Sequence, residues 1–95
     1  MSAYIIFIRE STIDISELQR YAELVPGTLA GHEMKVLAAY GAQQVLEGLP
    51  NEGSVIVEFF SMEAARAWYD SAAYGEARVH RFNGAVYRAI LVQGV

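Results

Sequence analysis

Glu58 is the residue whose type and neighbours best suit it to chemistry in this chain of 95 residues. It is the only charged residue in the stretch Val55–Phe60, whose β-branched and aromatic residues are typical of a strand. A carboxyl group among apolar neighbours has a raised pKa, which suits general acid–base catalysis near neutral pH. The same carboxylate could instead pair with an arginine or a backbone N–H and serve only the fold. We predict Glu58 as a catalytic residue and leave that structural alternative open.

His32 is the second candidate, as a base that acts together with Glu58. It lies at the end of the first predicted helical region and is followed by Glu33. A histidine near a helix C-terminus also interacts favourably with the helix dipole, and that interaction alone accounts for it. A catalytic role requires the His32 side chain to reach the sheet face that carries Glu58.

Candidates for ligand binding come from the tyrosines and from three basic residues near the end of the second helical region. The chain has six tyrosines, a residue type suited to half-buried positions where the ring packs and the hydroxyl finds a partner. Most of them are expected in the core or an interface, and Tyr40 and Tyr69 are our candidates for lining a pocket for an aromatic or quinone-like ligand. Arg78, His80 and Arg81 crowd the end of the second helical region, where the helix dipole favours cations. The alternative there is an anion site, with Arg78 as its candidate.

Composition excludes several classes of function. The formal net charge of −4 without a basic cluster disfavours nucleic-acid partners. The absence of cysteine excludes disulfides, thiolate metal sites and a cysteine nucleophile, and the two histidines lack the HExxH spacing of a zinc site. No nucleotide-binding or serine-hydrolase motif is present. We therefore predict no metal, no cofactor and no membrane partner, and we expect a cytoplasmic location because no apolar run approaches the length of a membrane span.

The hydrophobic pattern changes period several times along the chain and predicts one α+β domain over residues 1–95. Asp14 and Glu17 predict a capping box, in which the Glu17 side chain bonds to the backbone N–H of Asp14. Pro26-Gly27 interrupts the helix that follows. Ser61 and Ser71 each begin a later helical segment as its N-cap. The predicted strands are Tyr4–Ile8, Lys35–Tyr40, Ser54–Phe60 and Tyr87–Gln93. The order β-α-β-β-α-β is that of the ferredoxin-like fold, a four-stranded antiparallel sheet with both helices on one face.

The third strand predicts a homodimer. Val55, Val57 and Phe59 alternate with Ile56 and Phe60, so the two sets point to opposite faces of the sheet. Helices cover one face only, and 54% hydrophobic residues exceed the roughly 45–50% usual for soluble domains. We predict that a second copy of the sheet covers the other face.

The stretch from Val55 to Tyr74 resembles a bacterial family known as domain of unknown function 1330. The matching positions are Glu58, Phe59, Ser61, Ala64, Ala65, Trp68, Tyr69, Ser71 and Tyr74. The resemblance extends over essentially the whole chain and implies a dimeric α+β barrel, but little chemistry, because the family is functionally uncharacterised.

The sequence also departs from that family's pattern at three places. Glu33-Met34 replaces the usual Gly-Gly pair, Ala39 stands near the usual arginine of the second strand, and Ala72 replaces a proline. If that arginine anchors an anion in relatives, its role in this chain is vacant or has moved.

Three functions agree with these observations. The first is a metal-free small-molecule enzyme, of isomerase or cofactor-independent oxygenase type, with a pocket near the sheet face. The second is a binding or sensing module for a small aromatic or acidic ligand, which would use the same pocket without turnover. The third is a structural or interaction protein with no pocket.

Overall fold

The computed structural model describes all 95 residues as one antiparallel sheet with helices on one of its faces. The elements are β1 (Ala3–Thr12), α1 (Ile15–Leu24), β2 (Lys35–Ala39), β3 (Gly53–Phe59), α2 (Met62–Tyr69), α3 (Ala72–Gly84) and β4 (Ala85–Gln93). The strand order is β2-β3-β1-β4, and every neighbouring pair is antiparallel. The predicted β-α-β-β-α-β fold is confirmed, with the second helical region divided into α2 and α3.

Side-chain caps begin all three helices at the predicted residues. Asp14 accepts a hydrogen bond from the backbone N–H two residues on at 3.0 Å, and Ser61 and Ser71 accept from the N–H three residues on. The capping box at Asp14 is not completed as predicted. The carboxylate of Glu17 is hydrogen-bonded to Nδ1 of His80 and ties α1 to α3.

All four strands have bounds that differ from the sequence prediction. β2 ends at Ala39 instead of Tyr40, β3 spans Gly53–Phe59 instead of Ser54–Phe60, and β4 begins at Ala85 instead of Tyr87. β1 extends from Ala3 to Thr12 instead of Tyr4–Ile8, because its polar end continues to pair with β4 beyond a bulge. The interruption at Pro26 is a short 3₁₀ helix, Val25–Leu29, that follows α1 directly. None of the helices is long and apolar enough to cross a membrane.

An aromatic cluster holds α2 and α3 on the sheet. The Trp68 ring centroid lies 5.6 Å from that of Phe59 on β3 and 3.9 Å from that of Tyr74 on α3. Nε1 of Trp68 donates a hydrogen bond of 3.0 Å to the hydroxyl of Thr28, which is buried in the 3₁₀ helix. One indole ring therefore joins the sheet, both later helices and the segment that follows α1.

The opposite face of the sheet has no cover within one chain. Ile90, Ile6 and Ile56 stand side by side across the three strands β4, β1 and β3. Val57 and Phe59 are buried beneath the helices, whereas Ile56 is half-buried and Phe60 is 82% exposed. The predicted alternation of the third strand is confirmed, and an apolar face remains uncovered.

Candidate functional site

A cavity of about 440 Å³ lies between the sheet and α1. Of the 17 residues that line it, 14 are hydrophobic. Phe7 and Val57 contribute from the sheet, Leu18 from α1 and Trp68 from α2. The space is therefore an apolar cavity of small-molecule size with few polar groups in its wall.

The break after α1 shapes one side of this cavity. Because Pro26 cannot donate a backbone hydrogen bond, the chain leaves α1 and turns into the 3₁₀ helix. Val25, Pro26 and Leu29 then face the space between α1 and β2. Ala22 on α1 and Ala39 on β2 line the same space, and their short side chains leave it unfilled.

Tyr40 stands at the mouth of the cavity. It lines the cavity and is nevertheless 45% exposed, so its ring separates the apolar space from solvent. Its hydroxyl is hydrogen-bonded to that of Tyr87, and the Arg9 guanidinium carbon lies 4.8 Å from its ring centroid. A Cβ atom at Gly53 would lie only 2.6 Å from Cδ1 of Tyr40, so glycine at that position makes room for the ring.

The backbone of Tyr40 is strained. Its φ of 56° is the only positive φ of a non-glycine residue in the chain. Such a conformation is unusual for a bulky residue, and strain of this kind concentrates at ligand sites. The hydrogen bond to Tyr87 and the stacking beneath Arg9 hold the ring in place against that strain.

We expect the Tyr40→Gly protein to be more stable than the Tyr40→Ala protein by about 1 kcal/mol. Both variants lose the ring, and only glycine adopts the left-handed conformation without a steric cost. Urea denaturation at one fixed protein concentration measures the difference. The control is the same alanine-to-glycine comparison at Ala39, whose backbone is extended. There Ala39→Gly should lower the free energy of unfolding by roughly 0.5–1 kcal/mol. Equal stability of the two Tyr40 variants would contradict the strain.

Two tyrosine hydroxyl pairs lie at or behind the cavity wall. The hydroxyls of Tyr21 and Tyr74 are 2.7 Å apart, and Tyr40 pairs with Tyr87 as described. Burial is the main reason that the pKa of Tyr21, Tyr40 and Tyr74 is raised above the ordinary value of 10.0. These groups are therefore neutral phenols at physiological pH, able to donate hydrogen bonds.

Arg81 is the buried charged residue of the cavity. It lines the cavity from α3 and is only 3% exposed. Its guanidinium carbon lies 5.2 Å from the ring centroid of Phe7 and 5.0 Å from that of Tyr87. Its Nε has no hydrogen-bond partner, and none of the four ion pairs of the structure includes it.

The sequence prediction placed the anion site at Arg78, three residues away from Arg81. Nη1 of Arg78 donates 2.9 Å to the carbonyl oxygen of Tyr69 at the end of α2, and its guanidinium carbon lies 4.4 Å from the Tyr69 ring centroid. Neither residue lines the cavity. The spacing of Tyr74, Ala77 and Arg81 would have indicated which arginine faces inward, because all three belong to the buried stripe of α3.

Glu58 and His32 come together at a different place. Both line an open, partly polar depression at the β2 edge, which adjoins the cavity because Leu29 and Met34 line both spaces. Glu58 accepts a hydrogen bond of 3.4 Å from the hydroxyl of Tyr4. Glu58 points away from the helices, as the strand alternation predicts.

Of the five predicted site residues only Tyr40 lines the cavity, and the catalytic roles of Glu58 and His32 stay predictions. No cluster of three or more His, Asp or Glu residues is arranged to hold a metal ion.

Comparison with known proteins identifies the family. Residues 2–95 match the family described as domain of unknown function 1330. The chain belongs to the DUF1330 family. This confirms the resemblance that the sequence showed over essentially the whole chain. No curated protein matches the sequence.

Solved structures with the fold of this DUF1330 protein include proteins of unknown function and one oxygenase. A protein of unknown function from Rhodopseudomonas palustris is 18% identical, with a TM-score of 0.75 over 99% of this chain and 82% of the other. A dimeric protein of ferredoxin-like fold from Bacteroides fragilis is 10% identical, with a TM-score of 0.65 over 98% and 96%. SnoaB, a cofactor-independent oxygenase from Streptomyces nogalater, is 8% identical, with a TM-score of 0.55 over 99% and 91%. At these identities the similarity establishes the fold.

Proposed function

We propose that this DUF1330 protein is a homodimer that binds one apolar small molecule per subunit in the cavity beneath α1. The cavity itself carries the proposal, with its volume of about 440 Å³ and its 14 hydrophobic lining residues. Small-molecule sites are typically concave, mostly apolar spaces of roughly 300–1,000 Å³. Phe7, Tyr21 and Trp68 present aromatic rings to this space, which favours a ligand with a planar ring system.

The uncovered sheet face supports the homodimer. The row of Ile90, Ile6 and Ile56 is an apolar surface of the kind that marks an interface between proteins. A second copy of the same sheet fits it with twofold symmetry, and proteins of this fold are described as dimeric. Because the cavity lies on the other face of the sheet, pairing through the isoleucine row leaves it accessible.

Titration with 1,4-naphthoquinone tests the proposal. Trp68 is the only tryptophan and lines the cavity, so its fluorescence reports directly on occupancy. We expect saturable quenching of the Trp68 emission by this neutral two-ring probe. Native mass spectrometry should then show two probe molecules on a dimer. The same method, applied to protein purified from its own host, detects any ligand that the protein has retained.

A pair of matched variants locates the bound probe. Val57→Phe places a larger side chain into the cavity. The probe concentration needed for half-maximal quenching should therefore rise at least tenfold. Val79→Phe makes the same exchange at an exposed position of α3 outside the cavity and should leave the titration unchanged. Equal titrations for both variants would show that the probe binds elsewhere and would remove the support for a binding cavity.

Catalysis in the same cavity is the second candidate function, and the paired tyrosine hydroxyls favour it. No carboxylate or histidine lines the cavity, so proton transfer there would depend on Tyr21, Tyr40 and Tyr87. A metal-free reaction of the oxygenase type is compatible with such a donor set, and SnoaB has the same fold, although a shared fold does not by itself carry a shared reaction.

Incubation of the retained ligand with the protein in air separates catalysis from binding. Catalysis would change the mass of the ligand and consume oxygen. If Tyr40→Phe slows this change, the reaction takes place in the cavity. Glu58→Gln is the companion variant, since it should fold normally and would abolish turnover if the predicted role of Glu58 is right. An unchanged ligand mass would leave binding as the function.

A further inference from the structure

The positive charge of Arg81 has no carboxylate partner in the structure. The side chain is 3% exposed, its Nε lacks a hydrogen-bond partner, and no carboxylate pairs with it. Removing a charge from water is costly, and buried charges in proteins are normally paired. The aromatic rings of Phe7, Phe82 and Tyr87 stabilise the guanidinium only in part.

The other polar groups of the cavity do not supply the missing negative charge. Tyr21 and Tyr40 are neutral phenols, since burial raises the pKa of each. Arg9, the other cation in the cavity wall, has a carboxylate beside it: its Nε makes no hydrogen bond but lies 3.1 Å from Oε1 of Glu52, so its charge is paired. The cavity therefore has one uncompensated positive charge.

We propose that the ligand of this cavity is an apolar monocarboxylic acid whose carboxylate binds the guanidinium of Arg81. This inference rests on the proposed function and names the chemical class of the ligand. The single free charge of Arg81 matches a monoanion, and the 14 hydrophobic lining residues match an apolar body.

The geometry of the guanidinium favours a carboxylate. Nε–H and one Nη–H of an arginine point in the same direction and can donate together to the two oxygens of a carboxylate. Nε of Arg81 is buried and has no hydrogen-bond partner within the chain. The Tyr87 ring lies 5.0 Å from the same guanidinium, and the hydroxyl pair of Tyr87 and Tyr40 keeps one O–H free to donate to the ligand.

Isothermal titration calorimetry with two probes tests the inference. The probes are 2-naphthoate and 2-naphthalenemethanol, which share the ring system and differ in charge. A hydrogen bond to a charged group changes affinity about tenfold to a hundredfold. We expect the unmodified protein to bind 2-naphthoate at least tenfold more tightly than the alcohol.

Two arginine variants assign that preference to one residue. Arg81→Met, which keeps the apolar stem, should abolish the preference while binding of the neutral alcohol persists and shows that the cavity is intact. Arg78→Met removes the same charge from α3 outside the cavity and should leave the preference unchanged. Any of three results would overturn the inference. The unmodified protein could bind both probes equally, Arg81→Met could lose binding of both probes to the same extent, or Arg78→Met could lose the preference for 2-naphthoate. Binding of neither probe by the unmodified protein would overturn the proposed function as well.

Discussion

Replacement of Ile6 by lysine is expected to abolish the proposed homodimer and leave a monomer. Ile6 lies in the middle of the uncovered sheet face, between Ile56 on β3 and Ile90 on β4. In a symmetric dimer formed by two such faces, the new ammonium groups of the two copies would be buried close to each other among apolar side chains, where like charges repel. An unpaired buried charge costs several kcal/mol, and in a twofold interface each change acts twice.

Size-exclusion chromatography with light scattering measures this effect over a range of protein concentrations. The control is Ile13→Lys, which adds the same charge at a residue that is 66% exposed between β1 and α1, outside the sheet. We expect this control to remain a dimer. If Ile6→Lys is also a dimer at micromolar concentration, the two copies pair through another surface and the uncovered face requires a different partner.

The fold could be predicted because its determinants are local. Ser61 and Ser71 begin their helices through hydrogen bonds to a backbone N–H three residues away, so the sequence contains both partners. The alternation of Val57 and Ile56 follows from the two-residue period of a strand. The capping box failed at Glu17 for the opposite reason, since its partner His80 is 63 residues away in sequence.

The candidate site could be predicted only in part, because it depends on which side chains tertiary packing leaves without partners. The residue type of Tyr40 predicts a place in a pocket wall, but its left-handed backbone and its place at the mouth result from contacts with distant strands. Arg78 and Arg81 are alike in residue type, and their difference arises from their positions around α3, which only the helical spacing from Tyr74 and Ala77 indicates. Glu58 is the only charge in its strand, yet it faces away from the cavity that the helices enclose.

Trp68→Ala is expected to lower the free energy of unfolding by about 3–5 kcal/mol, the range for deletion of a large buried aromatic side chain. Small domains are stable by only about 5–15 kcal/mol, so this variant approaches the limit of folding at ambient temperature. The effect is large because the indole packs on Phe59 and Tyr74 and also donates to Thr28. Guanidinium denaturation followed by far-ultraviolet circular dichroism measures it, at fixed protein concentration because the proposed dimerisation would contribute to stability.

Trp68→Phe separates the packing of the ring from its hydrogen bond. This variant keeps an aromatic ring between Phe59 and Tyr74, whereas Thr28 keeps only its bond of 2.7 Å to the carbonyl oxygen of Val25. A lost hydrogen bond costs about 1 kcal/mol, so Trp68→Phe should be clearly more stable than Trp68→Ala. Equal losses would mean that the bond to Thr28, and with it the position of the 3₁₀ helix, matters more than ring packing. Since Val25 and Leu29 of that helix line the cavity, Trp68→Phe should then also weaken ligand binding.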